Sequence, residues 1–208
     1  MLLDALGPRG RSEVRYVPVD VSYAALKESA HELMAMYPGL EVNALVGDFT
    51  RDLHRIQSNR RKLVLFFGST IGNLDEPECI AFLGEVSRII NPRDRFILGL
   101  DMVKDREILE AAYNDSRQIT AAFNKNILLV LNREVGADFD PDDFDHVAFF
   151  NPERARVEMH LAARRDVSVT ISQLDLTVRL RQRETVLTEI CRKFTRLGTN
   201  QMLRRSGL

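Results

Sequence analysis

The sequence contains no tryptophan, only two cysteines and almost no net charge. With 29 Lys+Arg against 30 Asp+Glu it exerts no global attraction on nucleic acid or an anionic lipid surface. Cys79 and Cys191 are too few for a disulfide framework or a four-ligand zinc site, and read as reduced thiols of a cytoplasmic protein. No apolar run approaches the roughly 18–20 residues of a membrane span, and the N-terminal segment lacks the basic region of a signal peptide. Neither G-x-x-x-x-G-K-[ST] nor G-x-G-x-x-G occurs. None of the four histidines stands at metal-ligand spacing to another histidine or a cysteine, and no G-x-S-x-G elbow is present. No metal site and no covalent nucleophile are therefore expected.

What remains is a chain of 208 residues with 45% apolar content, enough to bury a core. Met1–Leu6 reads as the tail of a helix, and Arg15–Asp20 as a strand that ends on an acid. Ser22 is a candidate N-cap for a helix with Leu26, Ala30, Leu33, Met34 and Tyr37 on its apolar face. Leu40–Val46 alternates as a half-buried strand and stops at Gly47-Asp48-Phe49. Lys62–Phe67 is a continuous apolar run, read as a strand covered on both faces. The loop Gly68–Asn73 follows, then a capping box at Asp75 and Glu78 opening a helix, then a buried strand at Arg95–Asp101. Alternating strands and helices of this kind predict a doubly wound parallel sheet.

After Asp101 the rhythm changes. One helix is expected up to Tyr113 and another over Asp115–Leu131, burying Ile119, Phe123, Ile127 and Val130. Short strands are expected at Val147–Phe150, Arg156–Ala163, Val167–Ile171, Leu174–Leu180 and Thr185–Ile190, with a final helix over Thr195–Leu208. The predicted division is a sheet core over 1–102, an α+β insertion over 103–192 and a return to the core over 193–208. The basic groups 51–61 and 192–205 read as solvated faces, with no excess that would hold nucleic acid.

In parallel sheets ligands sit at the carboxyl ends of strands. Asp20, Asp48, the Gly68–Asn73 loop and Asp101 mark those ends. An acid after the second strand suits ribose hydroxyls, and Asp48 followed by Phe49 suits an adenine. Turns between strands and helices also favour Asp for local reasons, so both acids keep a plain structural reading. In the loop, two glycines allow close backbone approach, while Thr70 and Asn73 offer hydrogen-bonding side chains.

The segments Val17–Ser22, Val46–Phe49 and Phe66–Asn73 (FFGSTIGN), with Asp101–Asp105, Ala112–Asp115, Phe123-Asn124, Leu131–Glu134 and Glu158–His160, carry a resemblance. The chain resembles the S-adenosylmethionine-dependent histidine Nα-methyltransferases of ergothioneine biosynthesis. This implies a Rossmann-like α/β fold, incomplete for want of its first strand, with an inserted α+β substrate-binding domain. It implies S-adenosylmethionine as cofactor, histidine as substrate, and a monomer without nucleic-acid or membrane partners.

Position by position, the resemblance places Asp20 on the cofactor's ribose and Asp48 with Phe49 on its adenine. Gly68 and Thr70 fall near the substrate's α-amine. Asn73 and Tyr113 match the pair on its carboxylate, while Met159 and Glu189 line the imidazole pocket. The family's T-E-x-S pattern has Cys191 in place of serine here. The family's first strand, its E-x-G-x-G-T turn and its tryptophan-bearing final strands have no counterpart. A fragment lacking both ends, with weak or absent turnover, is therefore expected. The alternatives are an N-methyltransferase of another aromatic amino acid and a non-catalytic binding module. In-line methyl transfer to an amine needs positioning more than side-chain chemistry, and such positioning can supply about 7–11 kcal/mol.

Overall fold

Short parallel pairings open the chain. The computed structural model describes residues 2–5 and 13–208. Of the helix expected over Met1–Leu6, Leu2–Ala5 is helical (α1), and Met1 and Leu6 lie outside the described residues. The expected strand Arg15–Asp20 is split into β1 (Arg15–Tyr16) and β2 (Val19–Asp20), because Pro18 has no N–H to give to a ladder. Their parallel partners are β3 (Glu41–Val42) and β4 (Leu45–Val46), with Tyr16 opposite Val42 and Asp20 opposite Val46. The break at Asn43-Ala44 undoes the predicted alternation: Leu40 is buried, whereas Ala44 and Val46 are exposed.

The chain divides into two compact units, one made of Met1–Val64, Pro77–Phe96 and Gln201–Leu208, the other of Leu65–Glu76 and Ile97–Asn200. In the first unit, α2 (Tyr23–Met36) packs on β2 and β3. Ser22 caps it as expected: its Oγ accepts from Ala25 N at 3.2 Å, one of the donors a helix start leaves unpaired. Leu26 is buried and Met34 is exposed, so the apolar face is narrower than the pattern suggested. Helix α3 (Glu76–Ile89) contributes Cys79, Phe82, Leu83 and Val86 to the core. The Ser206 hydroxyl, at the end of the last helix, donates to Ile80 O at 3.3 Å.

Strands β5 (Leu63–Phe66) and β6 (Arg95–Leu98) pair with each other. Asp94 anchors their start, accepting from Lys62 N at 2.7 Å and meeting Lys62 Nζ at 3.1 Å. The strands are not covered on both faces, in contrast to the sequence expectation. Leu63, Leu65, Phe67 and Ile97 are exposed while Val64 and Phe66 are half-buried. A continuous apolar run carries no polar mark of which face stays open, so periodicity could not reveal this.

The second unit is built on an antiparallel sheet in the order β11-β8-β7, where β7 is Phe144–Asn151, β8 is Arg156–Ala163 and β11 is Thr185–Arg192. Strands β9 (Val167–Ile171) and β10 (Leu176–Leu180) form a separate hairpin. Helices α4 (Arg106–Tyr113) and α5 (Ile119–Val135) pack on the three-stranded sheet, and α6 (Arg196–Arg205) ends the chain. Val157, Met159, Leu161 and Ala163 alternate along β8 on one face, all buried. Leu161 and Ala163 cluster with Leu128 of α5, while Val157 clusters with Leu109 of α4. The buried stripe of α5 is Asn124 and Leu128 rather than the predicted one; Ile119, Phe123 and Ile127 are exposed. That helix is apolar on more than one side, and hydrogen bonding of the Asn124 amide lets a polar residue take the inner position.

Candidate active site

Two groups of side chains correspond to the predicted site, one in each unit. In the first unit, Asp20 and Asp48 stand at the carboxyl ends of the neighbouring parallel strands β2 and β4. Asp20 Oδ1 accepts from Ser22 N at 2.8 Å, and its other oxygen has no hydrogen-bond partner among the described residues. Asp48 Oδ1 accepts from both Thr50 Oγ1 and Thr50 N, at 2.7 and 2.8 Å. The Thr50 hydroxyl, then its N–H, holds the Asp48 carboxyl below the usual carboxylate range. Phe49 meets Phe82 edge to face, centroids 5.5 Å apart. These acids are oriented by turns of their own making.

In the second unit the Gly68–Asn73 loop lies against β11. Gly68 and Ser69 both have left-handed backbones, φ +75° and +59°, a strain that favours glycine at the first. Thr70 Oγ1 donates to Phe67 O at 3.2 Å. A side chain at Gly72 would stand 3.0 Å from Arg192 O and 3.2 Å from Cys191 Sγ, so this close approach needs a glycine. The approach brings Asn73 Nδ2 to Glu189 Oε1 at 2.8 Å and to Ile190 O at 3.0 Å. Glu189 is directly opposite Met159, and Cys191 opposite Val157, which places their side chains on the face covered by α4 and α5. Tyr113, at the end of α4, packs against the Val157 cluster on the same face. Asn73, Tyr113, Met159, Glu189 and Cys191 are thus brought together along one strand.

A β-bulge makes this possible. Leu187 pairs with His160 and Glu189 with Met159, so Thr188 is left without a partner. Side chains alternate across a strand, and one extra residue changes which of them face inward. Val186 and Glu189 consequently share a face although they are three residues apart. Thr188 Oγ1 lies 2.5 Å from Asn124 Oδ1 and 2.9 Å from Met159 O. Asn124 Nδ2 donates to His160 O at 3.0 Å and to His146 Nδ1 at 2.9 Å. His146 must accept at Nδ1, so its proton sits on Nε2, 2.9 Å from Tyr113 O. One buried amide therefore ties the bulge beside Glu189 to the backbone of Tyr113.

Lys193 completes the row. Its Nζ is 2.9 Å from Asp101 Oδ2, 3.0 Å from the Tyr113 hydroxyl and 3.2 Å from Cys191 Sγ. Burial opposes the charge on Lys193, but the bonds to Tyr113, Asp101 and Cys191 outweigh it and keep the ammonium protonated above its ordinary range. Burial, reinforced by Cys191 and opposed by Lys193, pushes Tyr113 up to about 12. Burial alone would raise Asp101, yet the bonds from Lys104 and Lys193 hold it low. Both Asp101 oxygens are engaged, by Lys104 and Lys193. Asp101 is thus a partner of Lys193 rather than an open strand-end acid.

Comparison with known proteins decides the family. Residues 1–208 match the model of the histidine-specific, S-adenosylmethionine-dependent methyltransferases. The chain belongs to this family. It is 42% identical over 208 residues to the histidine N-alpha-methyltransferase of Mycolicibacterium smegmatis, and 43% identical to that of Mycobacterium tuberculosis. Each alignment covers 100% of this chain and 64% of the relative, so the chain spans a little under two thirds of the length of these relatives. Ergothioneine biosynthesis protein 1 of Schizosaccharomyces pombe is 29% identical over 177 residues, covering 81% of this chain and 23% of that protein. A methyltransferase structure from Streptomyces caelestis covers 99% of this chain and 73% of its own at 13% identity and a TM-score of 0.48, which adds nothing to the family assignment.

Within this chain, sequence reasoning missed Lys193, Thr188 and the role of Asn124. By sequence Lys193 belongs to the basic group 192–205, expected to be a solvated face, yet it is buried. Its signal was its spacing: Glu189, Cys191 and Lys193 share one parity along a strand. Thr188 carried no signal, since a bulge shows only in the pairing register.

Proposed function

We propose that this chain carries binding residues for both substrates of a histidine Nα-methyltransferase acting in the ergothioneine pathway. The reading includes a Rossmann-like sheet with an inserted α+β substrate domain, and a monomer working in the cytoplasm. Cys79 and Cys191 are both buried and are not joined by a disulfide. No described helix is long and apolar enough to cross a membrane.

Glu189 carries the substrate reading. Asn73 holds one of its carboxylate oxygens, and Oε2 has no hydrogen-bond partner among the described residues. An anchored acceptor beside the buried thioether of Met159 fits the N–H and flat apolar faces of an imidazole. In this reading Tyr113 meets the substrate's carboxylate while Gly68 and Thr70 lie near its amine. Asn73, both of whose amide protons go to Glu189 and Ile190, joins Tyr113 only by releasing one of them.

The residues of the first unit fit the cofactor. The unpartnered oxygen of Asp20 is placed to accept from ribose hydroxyls, and Asp48 with Phe49 stands at the next strand end for the adenine. Bound S-adenosylmethionine would supply an electrophilic methyl group on a sulfonium. The protein residues would bind, orient and exclude water, with no covalent nucleophile among them.

The test is calorimetric titration of histidine and of tryptophan into the protein saturated with S-adenosylhomocysteine. Histidine is expected to bind preferentially, and Glu189→Ala to weaken it about 10–100-fold, as loss of a charged hydrogen bond predicts. A tryptophan preference would favour the second reading, an N-methyltransferase of another aromatic amino acid. That alternative has support in Cys191, whose sulfur is engaged by Lys193 where the family pattern has a serine.

A further inference from the structure

Lys193 has no obvious reason to be where it is. Its side chain is 0% exposed, and a charge so enclosed must be paired. Asp101 alone would supply the counter-charge. Lys193 nevertheless also reaches the Tyr113 hydroxyl and Cys191 Sγ, so its three ammonium protons meet three acceptors. The Nζ atom further lies 4.9 Å from the centroid of the Tyr113 ring, which fixes the ring against the strand.

An ammonium only donates. The Tyr113 oxygen therefore accepts from Lys193, and its own proton must be directed to a different acceptor. Tyr113 keeps that proton at neutral pH. Asp101 is shared between Lys193 and Lys104, so the three groups together carry a surplus of one positive charge. A hydroxyl forced to donate, with a positive potential behind it, is complementary to an anion.

We propose that Lys193 is a positioning residue for the carboxylate of the amino-acid substrate, holding the Tyr113 hydroxyl as an obligate donor and supplying positive potential one hydrogen bond away. This rests on the reading above in which Tyr113 meets that carboxylate. Lys193 does not touch substrate; it makes the site select an α-amino acid over the corresponding amine.

Histamine is the probe, since it has the imidazole and amine of histidine without the carboxylate. Both ligands are titrated into the wild-type protein, Lys193→Met, Lys193→Arg and Tyr113→Phe, each saturated with S-adenosylhomocysteine. Wild type is expected to prefer histidine. Lys193→Met is expected to lower histidine affinity tenfold or more while histamine affinity stays within twofold, so that the preference collapses as it does in Tyr113→Phe. Lys193→Arg, which keeps the charge, is expected to restore part of it.

Equal weakening of both ligands by Lys193→Met, or an intact preference, would overturn the proposal. If Lys193→Met does not fold, the charge-free pair Asp101→Asn/Lys193→Met carries the same expectation. Binding of neither ligand by the wild type would instead overturn the methyltransferase reading, and this inference with it.

Discussion

The two groups of candidate site residues are held in opposite ways. In the first unit, Asp20 is fixed by Ser22 and Asp48 by Thr50, partners two residues away. In the second, Asn73 meets Glu189 across 116 residues, Lys193 meets Tyr113 across 80, and Thr188 meets Asn124 across 64. A local turn orients its carboxylate whenever the segment forms. A long-range bond exists only once the whole unit has folded, so geometry and stability are coupled there. The acids of the first unit can therefore be altered with little consequence for folding, whereas the row along β11 cannot.

The sharpest way to break this contrast is to delete Thr188. With Thr188 gone, Leu187 and Glu189 become neighbours still opposite His160 and Met159, so Glu189 and Cys191 keep the covered face while the bond to Asn124 is lost. Histidine binding is expected to persist in calorimetry while stability falls. Unfolding by denaturant should show a loss of roughly 3–4 kcal/mol, the scale of a disrupted buried network. A shortened strand that no longer binds histidine would show that register alone does not govern the site. Next in size is Asn124→Ala. It leaves His160 O and His146 Nδ1 without their donor in a site where Asn124 is 3% exposed. About 2–3 kcal/mol of destabilisation is expected, read by the denaturant midpoint.

The smallest effect tests a local device inside the second unit. Asp115 accepts from Ile119 N and Thr120 N at the start of α5, at 2.9 and 2.8 Å. The N–H of Thr120, then that of Ile119, brings its carboxyl down to about 2 from an ordinary value of 3.8. A depressed carboxyl stabilises the fold above its unfolded value and loses that contribution as pH falls through the folded one. The stabilisation is thus complete above pH 3.8 and drains away towards pH 2. Circular dichroism melts should show this decline in the wild-type protein and a flatter one in Asp115→Asn. An equal slope in both would remove Asp115 from the account.

The same contrast explains what was legible in the sequence. The Ser22 cap, the acids at strand ends and the strand Arg156–Ala163 follow from short-range pattern and turn chemistry, and the structure has them at those residues. Which face of Lys62–Phe67 stays open, and which side of α5 turns inward, depend on partners distant in sequence. An apolar run of Ile127–Leu131 offers several inward faces, and only the bonds of Asn124 choose among them. Lys193 looked like one more surface cation because its three acceptors come from Asp101, Tyr113 and Cys191, two of them far along the chain. The family motifs identified most of the row without explaining it.

Because Thr188 has no partner across the ladder, β11 stores two complements of side chains in one segment. As built, the covered face carries an acid, a thiol and, just beyond the strand, an ammonium. Shifted by one, it would carry a hydroxyl, an alkyl group and a guanidinium, from Thr188, Ile190 and Arg192. A point substitution edits one group of this face at a time, while a slip that straightens the bulge and pairs Thr188 with Met159 exchanges all of them at once. Register on this strand therefore decides which chemistry lies beneath the two helices, and one slip of a single residue replaces it with no change of composition.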